Sequence, residues 1–299
     1  MSRKVQTGNL FIIAAALLWS MAGVCVKFIP WSAYSIACFR SICGAITFCI
    51  FMRRPHITFS RWNIAGAFCM FLTGILYMSA IKLTTAANAI VLQYTAPVII
   101  ILYAALIEKK RPTKLDIITT VCVLAGCVLA FSDQLEGGGM LGNFIALASG
   151  FTFAGLMIIN RRPETDAMES QLLGNLLSVV FLMPFLLTEK AFSWDPKVLL
   201  VALFLGFFQY GLAHVCFGIG IKRTEPVTAS IIATLEPICS PLWVFLVLGE
   251  QPGALALAGF VIVLAATSVY NVLLVRRGNE ALQSTSSTTD SGGSSSISG

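Results

Sequence analysis

The chain has 299 residues, of which 57% are apolar and 11% charged, with a formal net charge of +6. Ordinary soluble domains are roughly a quarter charged, so this balance, with a mean hydropathy of +0.84, excludes a water-soluble fold. About 20 apolar residues cross a hydrocarbon core, which leaves room for roughly ten spans and no sizeable extramembrane domain.

In chain order, the apolar runs and their punctuation predict helices at 8–28, 31–52, 62–82, 85–107, 114–132, 140–160, 167–187, 197–220, 226–248 and 253–275. The first follows Arg3 and Lys4 as a signal peptide would, but its apolar run is too long and lacks a convincing small-x-small cleavage site, so it reads as a span. Helices are stopped at Ile29-Pro30-Trp31, Arg53-Arg54-Pro55-His56, Glu108 to Pro112, Gly137–Gly139, Arg161-Arg162-Pro163 and Gln251-Pro252-Gly253. Such short connections force neighbouring helices to run antiparallel. Residues 1–7 are left as an N-terminal segment. Residues 276–299 are expected to be a disordered tail, because their Ser, Thr and Gly cannot bury enough apolar surface to offset ordering entropy. All nine cysteines lie in apolar runs with no Cys-x-x-Cys pair, so neither a metal site nor a disulfide framework is expected.

Basic residues near span ends are retained on the cytoplasmic side. With the N-terminus inside, 15 of the 20 Lys and Arg fall there, including Arg53, Arg54, Arg61, Lys109 to Arg111, Arg161 and Arg162. Lys27, Lys82, Lys190 and Lys197 fall outside. The expected placement is therefore multi-pass in the plasma (inner) membrane with both termini cytoplasmic. The positive charge suits anionic lipid headgroups and gives no reason to expect nucleic acid.

The two halves resemble each other. At an offset of 134 residues Gly8-Asn9 meets Gly142-Asn143 and Lys27 meets Arg161; at 140, Ile81-Lys82 meets Ile221-Lys222 and Pro97 meets Pro237. Residues 8–132 and 140–275 are read as two five-helix repeats. Five is odd, so the second copy enters from the opposite face, and the expected fold is all-α with ten transmembrane helices in two inverted repeats. Inverted repeats are the architecture of alternating access around a midplane site.

Several stretches carry a resemblance to a known family. Ala15-Ala16-Leu17-Leu18-Trp19-Ser20 followed by Lys27, then Arg40, then Tyr77 to Lys82 leading to Thr84-Thr85-Ala86-Ala87, and the pairs Pro97/Pro237 and Glu108/Glu250 are similar to EamA-type members of the drug/metabolite transporter superfamily. The resemblance covers residues 8–275. It implies a ten-helix carrier whose helices 1–4 and 6–9 surround the cavity. It also implies export or exchange of amino acids, other small metabolites or cationic drugs. One departure is that Gly174 stands where the offset of 134 would repeat Arg40.

Ionisable groups in mid-helix cost roughly 2.5–3.5 kcal/mol and usually face a cavity or a partner. Arg40 and Glu236 both fall near the midplane, where each is read either as lining a site or as half of an Arg–Glu tether. Pro237 and Pro241 follow the acid and are expected to kink its helix, as Pro97 is in helix 4. Trp19, Tyr77, Gln93, Tyr94, Gln209, Tyr210 and His214 complete the candidate substrate-binding set; packing is the plainer role for each. No phosphate loop, His-Glu-x-x-His helix or nucleophile elbow is present, so no cofactor and no catalytic residue is expected.

The expected function is secondary active transport of a small polar or amphipathic metabolite such as an amino acid, by alternating access and in the export direction. The alternatives are a sugar-nucleotide or cationic-drug transporter and, from another class, a non-transporting membrane enzyme or scaffold. The expected partners are the substrate and the bilayer, with a coupling proton or ion and a homodimer left open.

Overall fold

Lipid cannot hydrogen-bond a backbone, so a chain this apolar must satisfy its amides internally, and every element of the computed structural model is helical among the described residues. These are 3–52, 57–109, 111–132, 139–160, 162, 164–221, 223, 232, 235–249 and 253–291. The helices are α1 (Arg3–Ser20), α2 (Ala22–Phe28), α3 (Ala33–Met52), α4 (Arg61–Leu83), α5 (Ala86–Gln93), α6 (Ala96–Leu106), α7 (Lys114–Ser132), α8 (Met140–Asn160), α9 (Ala167–Leu187) and α10 (Pro196–Leu203). A π-helical segment (Phe204–Leu212), α11 (Ala213–Ile221), α12 (Leu235–Leu248) and α13 (Ala254–Ser291) complete the chain. Among the described residues seven helices or joined helix pairs are long and apolar enough to cross a membrane. Leu235–Leu248 and Ala254–Tyr270 are shorter apolar helices.

Four features differ from the sequence-based expectation. The first helix starts at Arg3 inside the expected N-terminal segment, and it breaks at Met21. The fourth breaks at Tyr94–Thr95. Both breaks follow a hydroxyl turned back on its own chain: Ser20 Oγ donates to Leu17 O at 2.7 Å and Thr95 Oγ1 to Leu92 O at 2.8 Å. The eighth helix widens into the π segment. The last continues to Ser291, through residues expected to lack order, because Glu280-Ala281-Leu282-Gln283 are good helix formers and no proline intervenes. Most of the expected helix 226–248 before Leu235 lies outside the described residues.

Helices in lipid gain nothing from hydrophobic exclusion and pack through close contact. α4 packs along α8 and α9, α3 along α9 and the π segment, α1 along α11 and α12, and α7 along α13. Gly142 at the start of α8 permits one close approach: a Cβ there would stand 2.7 Å from the Leu83 carbonyl carbon. Gly220 at the end of α11 permits another, where a Cβ would stand 3.0 Å from Gly8 O.

The two ends of the bundle differ. Where α2 and α4 finish, Cys25, Val26, Ile29, Trp31, Ile36, Met78, Ile81 and Ile90 form a continuous buried cluster. The Trp31 ring stacks on Phe192, with centroids 4.7 Å apart. Lys27 Nζ donates to Thr84 O at 2.8 Å, and Lys82 Nζ donates to Ile29 O. Each lysine thus closes the C-terminal end of the other's helix. Glu189, in the loop after α9, accepts from Ser32 N at 2.9 Å and Ala191 N at 3.1 Å. Partial burial pushes its carboxyl up, but bonds from Ser32, Ser35 and Ala191 outweigh this and hold it at about 2. At the opposite end the buried apolar cluster is Ala45, Phe48, Leu172 and Tyr210. There Glu169 ties α9 to α4, accepting from Thr58 N, Thr58 Oγ1 and Asn63 Nδ2 at 2.6–2.9 Å.

Candidate functional site

A cavity of about 500 Å³ lies between the helices, within the roughly 300–1,000 Å³ usual for small-molecule sites. Its wall is drawn from α1–α5, α8, α9, the π segment, α11 and α12; α7 and α13 contribute nothing among the described residues. The cavity runs from the level of Tyr77 to Asn160, the last residue of α8, and Gln171 near the start of α9. It therefore reaches toward the end opposite the Trp31 cluster.

Of the residues singled out from sequence, Trp19, Arg40, Tyr77, Gln93, Gln209, Tyr210, His214 and Glu236 all line it. Tyr94 does not. It follows the break after α5 and lines a separate space of about 10 Å³ with Ile90, Pro237 and Phe260. Pro237 is buried there, and α12 runs unbroken through it and past Pro241. Pro97 stands in the first turn of α6, so the interruption of that helix precedes it at Tyr94–Thr95. The side chains of Pro97 and Pro241 lie outside the described residues.

Arg40 is 9% exposed and sits over the Tyr210 ring, its Cζ 4.3 Å from the centroid. Gly44, one turn on in α3, makes that possible: a Cβ there would stand 2.5 Å from Tyr210 Cε1. Among the described residues Arg40 and Glu236 form no ion pair, so the expected tether is not realised and the aromatic ring takes the place of the acid. Arg40 Nε, Gln171 Oε1 and Gln209 Oε1 are buried without a protein partner among the described residues and are available to a solute.

Trp19 is held at the break in the first helix. Gln209 Nε2 donates to its carbonyl at 3.2 Å, and its ring meets His214 and Phe217 at centroid distances of 5.0 and 5.1 Å. His214 Nδ1 lies 2.7 Å from Tyr210 O and 3.3 Å from Trp19 Nε1. One nitrogen cannot donate to the carbonyl and accept from the indole together. The shorter contact assigns the proton to Nδ1 and leaves Nε2 as the acceptor. The described lining residues offer a cation, an acid and aromatic faces, and among them no nucleophile stands beside an activating base.

Sequence reasoning missed Thr73, Phe153, Met157, Asn160 and Gln171. Thr73 Oγ1 donates to Cys69 O at 2.7 Å and lies 2.8 Å from Thr152 Oγ1, which joins α4 to α8 beside the cavity. Asn160 and Gln171 are polar residues just inside predicted span ends, and that position was the one signal that could have marked them.

The EamA-like transporter family matches residues 6–132 and again residues 140–272. Similar proteins include Uncharacterized transporter YwfM of Bacillus subtilis (strain 168), 28% identical over 81% of this chain and 86% of its own length. Another is Uncharacterized inner membrane transporter YicL of Salmonella typhimurium (strain LT2), 24% identical over 82% of this chain and 89% of its own. A solved crystal structure shares the fold, with a TM-score of 0.60 and 22% identity, over 91% of this chain and 99% of the other.

Proposed function

The chain belongs to the EamA-like transporter family and is a multi-pass membrane protein; from that premise we propose that it carries a small amphipathic metabolite, such as an amino acid, by secondary active alternating access. One observation carries the reading: Arg40 and Glu236 face a single cavity without pairing to each other. A zwitterion supplies the missing partner to both, its carboxylate to the arginine and its ammonium to the acid. Trp19, Tyr77, Phe153 and Phe217 offer apolar wall to the rest of such a solute.

The packing supports ten spans in two inverted repeats, residues 8–132 and 140–275. Numbered as ten spans, helix 3 packs on helix 6 and helix 8 on helix 1; helix 4 packs on helix 6 and helix 9 on helix 1. Helices 2 and 7 pair with each other, as do 5 and 10. These pairings recur with the halves exchanged, as a twofold axis relating the halves would give, and five spans in each half would set that axis in the membrane plane. The distribution of Lys and Arg puts both termini and the Asn160 end in the cytoplasm. In that orientation the cavity faces inward and the Trp31 end is the closed outer gate, a state suited to loading an exported solute.

The test is uptake by purified protein in liposomes, with each of the twenty amino acids as labelled solute and counterflow as the driving force. At least one should accumulate, and Arg40→Gln should reduce that uptake about tenfold or more, the usual value of a buried charge-assisted bond. Transport of a sugar nucleotide or an organic cation with no amino acid moved would replace this reading with one of the runners-up. Failure of every solute class would point to a membrane enzyme or scaffold.

A further inference from the structure

At the end toward which the cavity reaches, three elements bring two guanidinium groups onto one indole. Arg61 and Trp62 are the first residues of α4, and Arg162 follows the end of α8 by two residues. Arg162 Cζ lies 3.8 Å from the Trp62 ring centroid, and Arg61 Cζ lies 5.1 Å from it. The Tyr103 hydroxyl, near the end of α6, stands 3.5 Å from Arg162 Nη2, at the limit of a hydrogen bond.

The ring attracts each cation, but the two cations repel one another and the described residues do not neutralise them. Among the described residues neither arginine forms an ion pair. The nearby acids are engaged or turned away. Asp166 caps α9, accepting from Met168 N and Glu169 N, and Glu169 accepts from Thr58 and Asn63. Glu164 is exposed and bonds to neither arginine. A guanidinium lying on an indole keeps its N–H edge free, and that edge matches two oxygens of a tetrahedral anion.

Depth selects the anion. The apolar span of α4 begins at Arg61 and that of α8 ends at Asn160, so the cluster stands where hydrocarbon gives way to headgroups. Tryptophan and arginine are both favoured at this level, and the anions met there are phosphate diesters. We propose that Arg61, Trp62 and Arg162 form a binding site for a phosphate group at headgroup depth, separate from the transport cavity and independent of the substrate assigned to it.

Thermal unfolding of the purified full-length protein in neutral detergent at low ionic strength tests this, with phosphatidylglycerol, phosphatidylcholine or inorganic phosphate added. A ligand that binds only the folded state raises the midpoint in proportion to its occupancy. Phosphatidylglycerol should do so, and Arg61→Gln with Arg162→Gln should raise the half-saturating lipid concentration by about 25-fold, roughly fivefold for each charge removed. Arg162→Lys keeps the charge but loses the fork and should fall between. If inorganic phosphate stabilises as strongly and loses its effect in the same variant, the phosphate site stands and its natural ligand is soluble. An unchanged lipid response in the double variant overturns the site. An equal loss in Lys114→Gln, a change to an exposed base at the same end, also overturns it, because any nearby charge would then suffice. Should the double variant not fold, the single Arg162→Gln gives the same reading at about fivefold.

Discussion

At one end of the bundle Trp31, Ile36 and Ile81 are fully buried, and Lys27 and Lys82 each bond the carbonyl that ends the other's helix. At the other, Asn160 and Gln171 stand beside the mouth of a cavity and the buried apolar cluster holds Ala45, Phe48, Leu172 and Tyr210. Both ends are made from the same helices, so the difference lies in side-chain chemistry. The closed end combines small and apolar residues with bonds between ammonium groups and helix-end carbonyls, contacts that water could replace if that end were to open. Beside the cavity, Asn160 Oδ1 and Gln171 Oε1 are buried without a partner among the described residues, so a solute bound there would not first have to break a protein contact made by either atom.

The sharpest break of this comparison is Glu236→Gln. If the acid serves the cavity as proposed, the isosteric amide should cut transport about 10- to 100-fold while the unfolding midpoint in detergent stays unchanged. A lowered midpoint with transport retained would move Glu236 to the structural side. Next comes the closed end itself. Gly142→Ala would set a Cβ 2.7 Å from the Leu83 carbonyl carbon and 2.8 Å from Thr84 N, backbone that cannot give way, and should cost about 1–3 kcal/mol in thermal unfolding.

Lys82→Met tests the crossed lysines. Loss of the bond to Ile29 O should cost about 1–2 kcal/mol and speed maleimide labelling of Cys25, which is 3% exposed behind the closed end. Labelling no faster than in the parent would show that the apolar cluster alone holds the seal. The smallest effect is a pH dependence. The Glu189 carboxyl is held at about 2 against the usual 4.5, so its contribution is complete above about 4.5 and is lost as pH falls toward about 2. The group is only partly buried, and solvent screening keeps the contribution below about 1 kcal/mol. Glu189→Gln should flatten the slope of the unfolding midpoint over that window and leave it unchanged near neutral pH.

Much of this was legible in the sequence. Hydropathy placed the helices because lipid penalises any long polar stretch. The cost of a buried charge marked Arg40 and Glu236, and both line the cavity. What escaped was rotational. Helices that are apolar on every side carry no phase, so nothing distinguished Tyr94, which turns to a separate space, from Tyr77, which faces the cavity. Phe153 and Met157, which also line the cavity, carried no mark of their own for the same reason. The breaks at Met21 and Tyr94–Thr95 are accompanied by hydroxyls of Ser20 and Thr95 bonding back along their own chain, but Thr47, Thr73 and Ser149 do the same in unbroken helices, so this pattern alone would not have marked the breaks. The widened turn at Phe204–Leu212 has no proline to announce it.

That widened turn has a mechanical consequence. An α-helix advances about 100° per residue, and a π turn holds roughly one residue more than an α turn. Tightening one turn between Phe204 and Leu212 would feed a spare residue along the helix and rotate everything beyond it, like a screw turned by one thread. His214 and Phe217 would swing away from Trp19, while Gly206 and Gly211, which lie against Cys43 and Thr47, present no side chain to jam the rotation. The segment carrying Gln209 and Tyr210 thus holds, in the cavity wall, a spare residue whose release would turn the cytoplasm-facing part of the helix and leave the part before Phe204 in place.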